Sequence, residues 1–253
     1  MRQRLDLLLV ERGLSDSRTR AQALVLEGKV RVDGQVETKA SRKVEAEVEV
    51  EVERPPRFVS RGGEKLEGAF ALWGEECSRI KNFELTAKDR VCLDVGSSTG
   101  GFTDCLLQHG AKQVMAIDVG TNQLAYKLRS DPRVWVRENF NARYLKPTDL
   151  PAVPTLAVTD VSFISLKLIL PPIVEVLSLG GEIVALIKPQ FEVGKGQAPG
   201  GLVRDEVLRL AARDEIVRFA TEDLKLELLG LAESPIRGKE MGNIEYLSYW
   251  RRK

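Results

Sequence analysis

The sequence predicts an α/β protein: a seven-stranded, mostly parallel sheet with helices on both faces and a terminal antiparallel hairpin, preceded by a small α+β module. Three observations predict it. From residue 89 onward, short β-rich runs alternate with helical patterns, the rhythm of a parallel sheet covered on both sides. The last two runs, KLELLGLAES and NIEYLSYWRR, are joined by a loop containing Pro235, Gly238 and Gly242 with no helix between them, which marks a hairpin. Residues 1 to about 54 keep a different rhythm, which Pro55-Pro56 ends. The expected division is therefore a small module over 1–54, a linker over 55–61 and a large domain over 62–253.

In the small module, Leu5, Leu8 and Leu9 recur at helical spacing and Gly13 stops that helix. Ser15 or Ser17 can cap a second helix, SRTRAQALVLEG, with Ala21, Leu24, Val25 and Gly28 on one face. KVRVDGQ follows as a strand turning at Asp33-Gly34. The stretch EAEVEVEVE alternates throughout, so it reads as one half-buried strand: Glu45, Glu47, Glu49, Glu51 and Glu53 face outward, and Ala46, Val48, Val50 and Val52 inward. Positive charge gathers ahead of it at Arg12, Arg18, Arg20, Lys29, Arg31, Arg42 and Lys43. Such a patch meets backbone phosphates with little regard for base sequence.

In the large domain the strands are RVCLDVG, QVMAIDVG, RVWVREN, TLAVTD, GEIVALIK and the closing pair. The helices are GFTDCLLQHG, NQLAYKLRS, ISLKLILPPIVEVL and RDEVLRLAARDEIVRFAT. Ligands in such sheets lie at the carboxyl ends of the strands. The first strand runs into DVGSSTGGFTD, a turn built by Asp94, Gly96, Ser97, Ser98, Thr99, Gly100, Gly101 and Phe102. Gly96 permits the sharp bend, and Gly100-Gly101 are expected to let a ligand lie against the backbone. Asp94 would repel a pyrophosphate and suits a ligand carrying an ammonium group. Asp118, at the next strand tip, can accept both hydroxyls of a ribose. Four more polar residues stand where the sheet presents its active edge: Lys65 in a helix entering the domain, Asp160 and Lys188 at the ends of the fourth and fifth strands, and Glu245 in the last strand.

The string SRTRAQALVLEGKVRVDGQ resembles the RNA-binding module named after ribosomal protein S-four. The strings SRGGEKLEGAF, DVGSSTGGFTD, DVSFISL, IKPQFEVGKGQ and GNIEYL resemble those of the TlyA, or "hemolysin A", family of ribosomal RNA methyltransferases and its relatives of the RrmJ/FtsJ type. The resemblance runs through essentially the whole chain. It implies the Rossmann-like methyltransferase variant of the doubly wound fold. It also implies a catalytic tetrad of Lys65, Asp160, Lys188 and Glu245, with S-adenosylmethionine held by the Asp94–Phe102 loop and Asp118. The acceptor it implies is the ribose 2′-hydroxyl of a cytidine in ribosomal RNA or a ribosomal subunit. Relatives vary after the third strand, where this chain offers Asn139 and Asn141 to the adenine.

In that chemistry Lys188 is expected to accept the hydroxyl proton. Its pKa must fall from about 10.4, which Lys65 as a second cation would bring about, while Asp160 and Glu245 orient the amines. The Gly-rich stretch EVGKGQAPGGLVRD, with Lys195 and Arg204, is expected to be a mobile loop closing over RNA backbone. Phe58 could pack between modules or stack on a base.

Composition excludes several alternatives. A formal charge of +1 excludes a uniformly basic nucleic-acid binder while allowing a local patch. No apolar run reaches the length of a membrane span and no signal-peptide pattern opens the chain, so a membrane-active cytolysin lacks an insertion segment and the expected location is cytoplasmic. Cys77, Cys92, Cys105 and the single His109 lack metal spacing, so no metal is expected and these residues read as structural. Arg4-Leu5-Asp6 imitates a pseudouridine synthase motif, but Asp6 lies in the first helix of the small module, where it caps or solvates the turn. An RNA-binding module on a silent scaffold is opposed by the intact tetrad.

Overall fold

The computed structural model describes residues 2–53, 56–75, 83–238 and 242–253. Cys77 and Pro55 lie outside them. The chain divides into two compact units, 1–56 and 57–253.

In the first unit, α1 (Leu5–Glu11) and α2 (Arg18–Leu26) bury Leu5, Leu8, Leu9, Ala21, Leu24 and Val25 in one small core. Ser17 caps α2 by accepting from the Arg20 amide. A hairpin of β2 (Val30–Val32) and β3 (Gln35–Glu37) turns at Asp33 and Gly34, both in the left-handed region as a two-residue turn requires. The acidic stretch is not one strand. Its start joins β4 (Lys43–Glu45), which pairs with β1 (Arg2–Arg4), and its end forms β5 (Val50–Val52), which pairs with β2 in a different sheet. Between them the backbone turns at Ala46 and Glu47, and the Arg12 guanidinium binds the Ala46 and Val48 carbonyls. The alternation of burial survives the turn, with every Glu exposed and Val48, Val50 and Val52 half-buried. Alternation reports which side chains face inward, and it carries no information about which strand is the partner.

Asp6 is fully buried and accepts from Arg4, Arg18 and Gln22, which holds its carboxyl well below the usual carboxylate range, the Arg4 bond being the largest cause. It bolts the two helices together instead of capping one turn. Because its folded pKa is depressed, this stabilisation is complete above about pH 4 and is lost as pH falls through the folded value. Asp6→Ala should cost about 1–3 kcal/mol, read as a lower denaturant midpoint for the first unit and a weaker dependence of that midpoint on acid.

The second unit holds seven strands: β6 (Val91–Val95), β7 (Gln113–Ile117), β8 (Val134–Arg137), β9 (Leu156–Thr159), β10 (Glu182–Ile187), β11 (Glu227–Glu233) and β12 (Tyr246–Arg251). Their order is β11-β12-β10-β9-β6-β7-β8, with β12 alone running opposite to the other six. Successive side chains leave opposite faces. Thus Cys92, Val114, Val158 and Val184 join one core with α3 (Gly62–Trp73) and α4 (Gly101–Gln108), while Leu93, Met115, Ala157 and Ala185 join the other. That second core also takes α6 (Leu170–Val176) and α8 (Glu206–Arg218), whereas α5 (Tyr126–Arg129) is a single turn beside the first. Trp73 and Trp250 are buried and Trp135 is half-buried, all three as core residues. Phe58, placed in the linker by sequence, is buried in the first of these cores.

Winding reverses between β6 and β9, so the connections leaving their carboxyl ends go to opposite faces of the sheet and leave a crevice there.

Candidate active site

Two clefts of about 560 Å³ each open at that crevice and share Gly96, Ser98, Asp160 and Ser162. Into the first project Lys65, from one turn inside α3, and Asp160 and Lys188, each the first residue beyond its strand. Glu245 precedes β12 instead of lying within it, and it reaches Lys65 from behind the cleft wall.

The four side chains form one chain of contacts. Lys65 Nζ donates to Glu245 Oε2 at 2.7 Å and lies 3.5 Å from Asp160 Oδ2. Lys188 Nζ lies 2.7 Å from Asp160 Oδ1, an ion pair off the hydrogen-bonding direction, and donates to Ser162 Oγ at 2.8 Å. Asp160 thus stands between the two ammonium groups, where Lys65 was expected to act on Lys188 as a nearby cation. Glu245 Oε1 also accepts from Gln190. Three of the four are more than nine-tenths buried, so their charges are held in place by one another instead of by water.

The glycine loop departs from expectation in two respects. A Cβ on Gly100 would strike Leu128 and Leu124, and one on Gly101 would strike Ser60 Oγ at 2.3 Å and the Gly63 nitrogen at 2.7 Å. These glycines admit the protein's own chain, which brings the start of α3, and with it Lys65, against the loop, while Gly101 also lines the first cleft. Gly96 (φ +80°) makes the bend, and its missing Cβ leaves room for Val161. Asp94, expected to face a ligand, is wholly buried beneath the loop and lines neither cleft. One oxygen accepts from Thr103 and the other has no partner. Burial, aided by the charges of Asp160 and Asp118, raises its pKa to about 7.

Asp118 lines the second cleft, where each carboxylate oxygen accepts one backbone N–H at 2.7 Å, from Ser98 and from Gly120. A lone pair remains on each oxygen. Around it stand apolar walls that sequence reading missed: Val119, Phe140, Ile164 and Ile169. Asn141 lines this cleft. Asn139 does not: it is exposed, in left-handed conformation (φ 54°), and only its backbone is engaged, with Gly120. Ser60, Arg61, Ser162 and Arg237 were likewise missed. Their one sequence signal was proximity to Lys65, Asp160 and the hairpin loop.

Other expected residues have structural occupations. Of the basic patch, Arg12 holds carbonyls, Arg18 pairs with Asp6, Lys29 with Glu27 and Arg42 with Glu37, while Arg31 bonds the Gly34 carbonyl. Among the described residues, the side chains of Arg20 and Lys43 make no hydrogen bond or ion pair, though the Arg20 charge acts on Glu27. The Gly-rich stretch is anchored at its far end, where buried Asn243 binds the Gly201 carbonyl and the Val203 amide; Lys195 and Arg204 are exposed. His109 bonds Glu67 at 2.7 Å and stacks on Phe70, and Cys92 and Cys105 are buried.

The sequence profile of the FtsJ-like methyltransferases matches residues 58–252. The chain belongs to that family. Within the FtsJ-like unit this match takes in all four contacting side chains and both clefts. The profile of the S4 domain matches residues 3–50, within the first unit. A protein of Mycobacterium tuberculosis named 16S/23S rRNA (cytidine-2′-O)-methyltransferase TlyA is 44% identical over 253 residues, covering 99% of this chain and 90% of its own length. Hemolysin A of Brachyspira hyodysenteriae is 42% identical over 98% of this chain and 99% of its own. A solved structure from Streptococcus thermophilus, bearing a hemolysin name, superposes with a TM-score of 0.72 at 41% identity, covering 100% of this chain and 89% of its own.

Proposed function

We propose that this FtsJ-like chain transfers a methyl group from S-adenosylmethionine to the ribose 2′-hydroxyl of a cytidine in ribosomal RNA, with Lys65, Asp160, Lys188 and Glu245 as its catalytic tetrad. The observation that carries the reading is the single chain of contacts Glu245–Lys65–Asp160–Lys188 at the crevice between β6 and β9. The likeness to the TlyA protein of Mycobacterium tuberculosis supports the acceptor.

The cleft pair fits the cofactor. Asp118 offers two acceptors to a ribose amid the apolar walls an adenine needs, with Asn141 at their edge. The glycine loop overlies Asp94, whose buried carboxyl with its unpartnered oxygen would favour a positively charged group held on that loop. When bound, S-adenosylmethionine supplies a methyl group already activated by its sulfonium charge, so the protein's contribution is alignment and proton removal. Lys188, an ammonium beside Asp160 in the resting site, first gives one proton to solvent, and its neutral Nζ then takes the proton of the attacking hydroxyl. Asp160 holds Lys188 on one side and Lys65 on the other, and Glu245 fixes Lys65 from behind. Arg20 and Lys43 of the first unit are free to meet RNA phosphates, whereas Arg12, Arg18, Lys29 and Arg42 meet them only by leaving their present partners or sharing them.

The test is transfer of labelled methyl from S-adenosylmethionine to ribosomal subunits of a strain lacking the modification, followed by mapping of the labelled nucleotide. Label on a cytidine 2′-oxygen is expected; label on a base, or none, overturns the reading. Hemolysin names among relatives motivate a second measurement, leakage from liposomes, in which none is expected. No described helix is long and apolar enough to cross a membrane.

A further inference from the structure

Two loops carry the reactive side chains, and they are fastened to each other at both ends. The loop after β9 runs from Asp160 to Leu166, and the segment after β10 runs from Lys188 through α7 (Pro189–Glu192). At the near end, Lys188 meets Asp160 and Ser162. At the far end, one helical turn along, Glu192 accepts from the Ser165 hydroxyl and from the Leu166 amide at 2.9 Å. Between the two fastenings the Phe163 and Phe191 rings meet at 5.1 Å.

The loop so held is not relaxed. Phe163 has φ +64°, unusual for a bulky side chain, and its ring is 85% exposed at the mouth of the second cleft. A strained backbone persists only where its surroundings over-determine it. Burial of Phe163 does not supply that constraint, since the ring is exposed, and the Phe191 contact touches one edge of it. The two hydrogen bonds to Glu192 act on the side chain of Ser165 and the backbone of Leu166, two and three residues after Phe163, and close the loop against the turn that follows Lys188. Glu192 is itself half-buried, and its burial raises its pKa.

We propose that Glu192 is a positioning residue: it latches the 160–166 loop to the Lys188 turn, and so fixes Asp160 and Ser162 against Lys188 and holds Phe163 at the cleft mouth. The proposal rests on the methyltransferase reading of the same site and adds a residue that touches neither cofactor nor acceptor. Loss of the latch lets Asp160 drift from Lys188. A misplacement of this kind, on the order of 1 Å, costs about 100-fold in rate.

The experiment compares wild-type full-length protein with Glu192→Ala, Glu192→Gln and Ser165→Ala in methyl transfer to ribosomal subunits, with cofactor affinity measured by calorimetry. Glu192→Ala is expected to lower kcat by ~10-fold to ~100-fold with cofactor affinity within about threefold. Glu192→Gln, which can still accept from the Leu166 amide, is expected to recover most of the rate, and Ser165→Ala to fall between. Rescue by Glu192→Gln separates positioning from a general loss of structure, because a variant that keeps the latch bond keeps the rate. Wild-type kcat in Glu192→Ala, or a Glu192→Gln variant as slow as Glu192→Ala, overturns the latch. If Glu192→Ala does not fold, the same readings on Ser165→Ala decide. Absence of transfer by the wild type refutes the underlying functional reading instead.

Discussion

Lys188→Ala is expected to abolish methyl transfer, by ~1000-fold or more, while cofactor affinity stays within about threefold. The choice of lysine matters. Removing Lys65 would leave Glu245, 3% exposed, as a buried carboxylate with Gln190 as its remaining side-chain donor among the described residues, and breaking a buried pair in that way costs about 3–5 kcal/mol. An inactive Lys65 variant would therefore say little about chemistry. Lys188 pairs with Asp160, which is 18% exposed and keeps Lys65 within 3.5 Å, so the acid left behind remains partnered and wetted. The measurements are single-turnover transfer of labelled methyl and calorimetric titration of the cofactor. A Lys188→Ala enzyme that transfers at the wild-type rate removes this lysine from the chemistry, and one that fails to bind cofactor moves it to the binding site.

A second large effect is expected in the pH dependence of cofactor affinity. The buried Asp94 carboxyl has its pKa raised to about 7, chiefly by burial. Its folded value lies above the unfolded value near 3.9, so between pH 4 and 7 the folded protein binds the extra proton and ionisation weakens the fold. A cation seated on the loop above favours the ionised form and expels that proton. Affinity should therefore climb from pH 5 to 7 and level off above, gaining about tenfold for each unit by which the ligand lowers the Asp94 pKa. Asp94→Asn should bind weakly and without slope over the same range. Calorimetry at pH 5, 6, 7 and 7.5 checks this; equal affinities in the wild type across that range would show that the buried acid does not sense the ligand.

The parts of this molecule that could be read from its sequence are those in which one segment states its own geometry. Alternating β-rich and helical runs gave the sheet and its closing hairpin. The bend at Gly96 and the strand-tip positions of Asp94, Asp118, Asp160 and Lys188 follow from chain direction alone. What stayed hidden depends on partners distant in sequence. The acidic stretch shows perfect alternation, yet Arg12 reaches across from α1 to hold a turn in its middle. Gly100 and Gly101 look like ligand glycines, but what lies opposite them is Leu124, Leu128 and the start of α3. The basic patch was counted by charge, and five of its members are already paired with a carboxylate or bound to carbonyls. Asp94 sits where a ligand-binding acid belongs, and only the packing of the loop over it reveals that it lies beneath the loop instead of facing a cleft.

The position of β12 has a consequence for how the molecule comes into being. This strand is the last of the sheet to leave the ribosome, yet its slot is internal, between β10 and β11. Until it arrives, β10 presents a bare row of amides and carbonyls to any passing strand. Glu245, at its leading end, is missing as well, so Lys65 has no counter-charge behind it. Nascent protein is thus inert and sticky together, and both conditions end when one ribbon of six residues slides home.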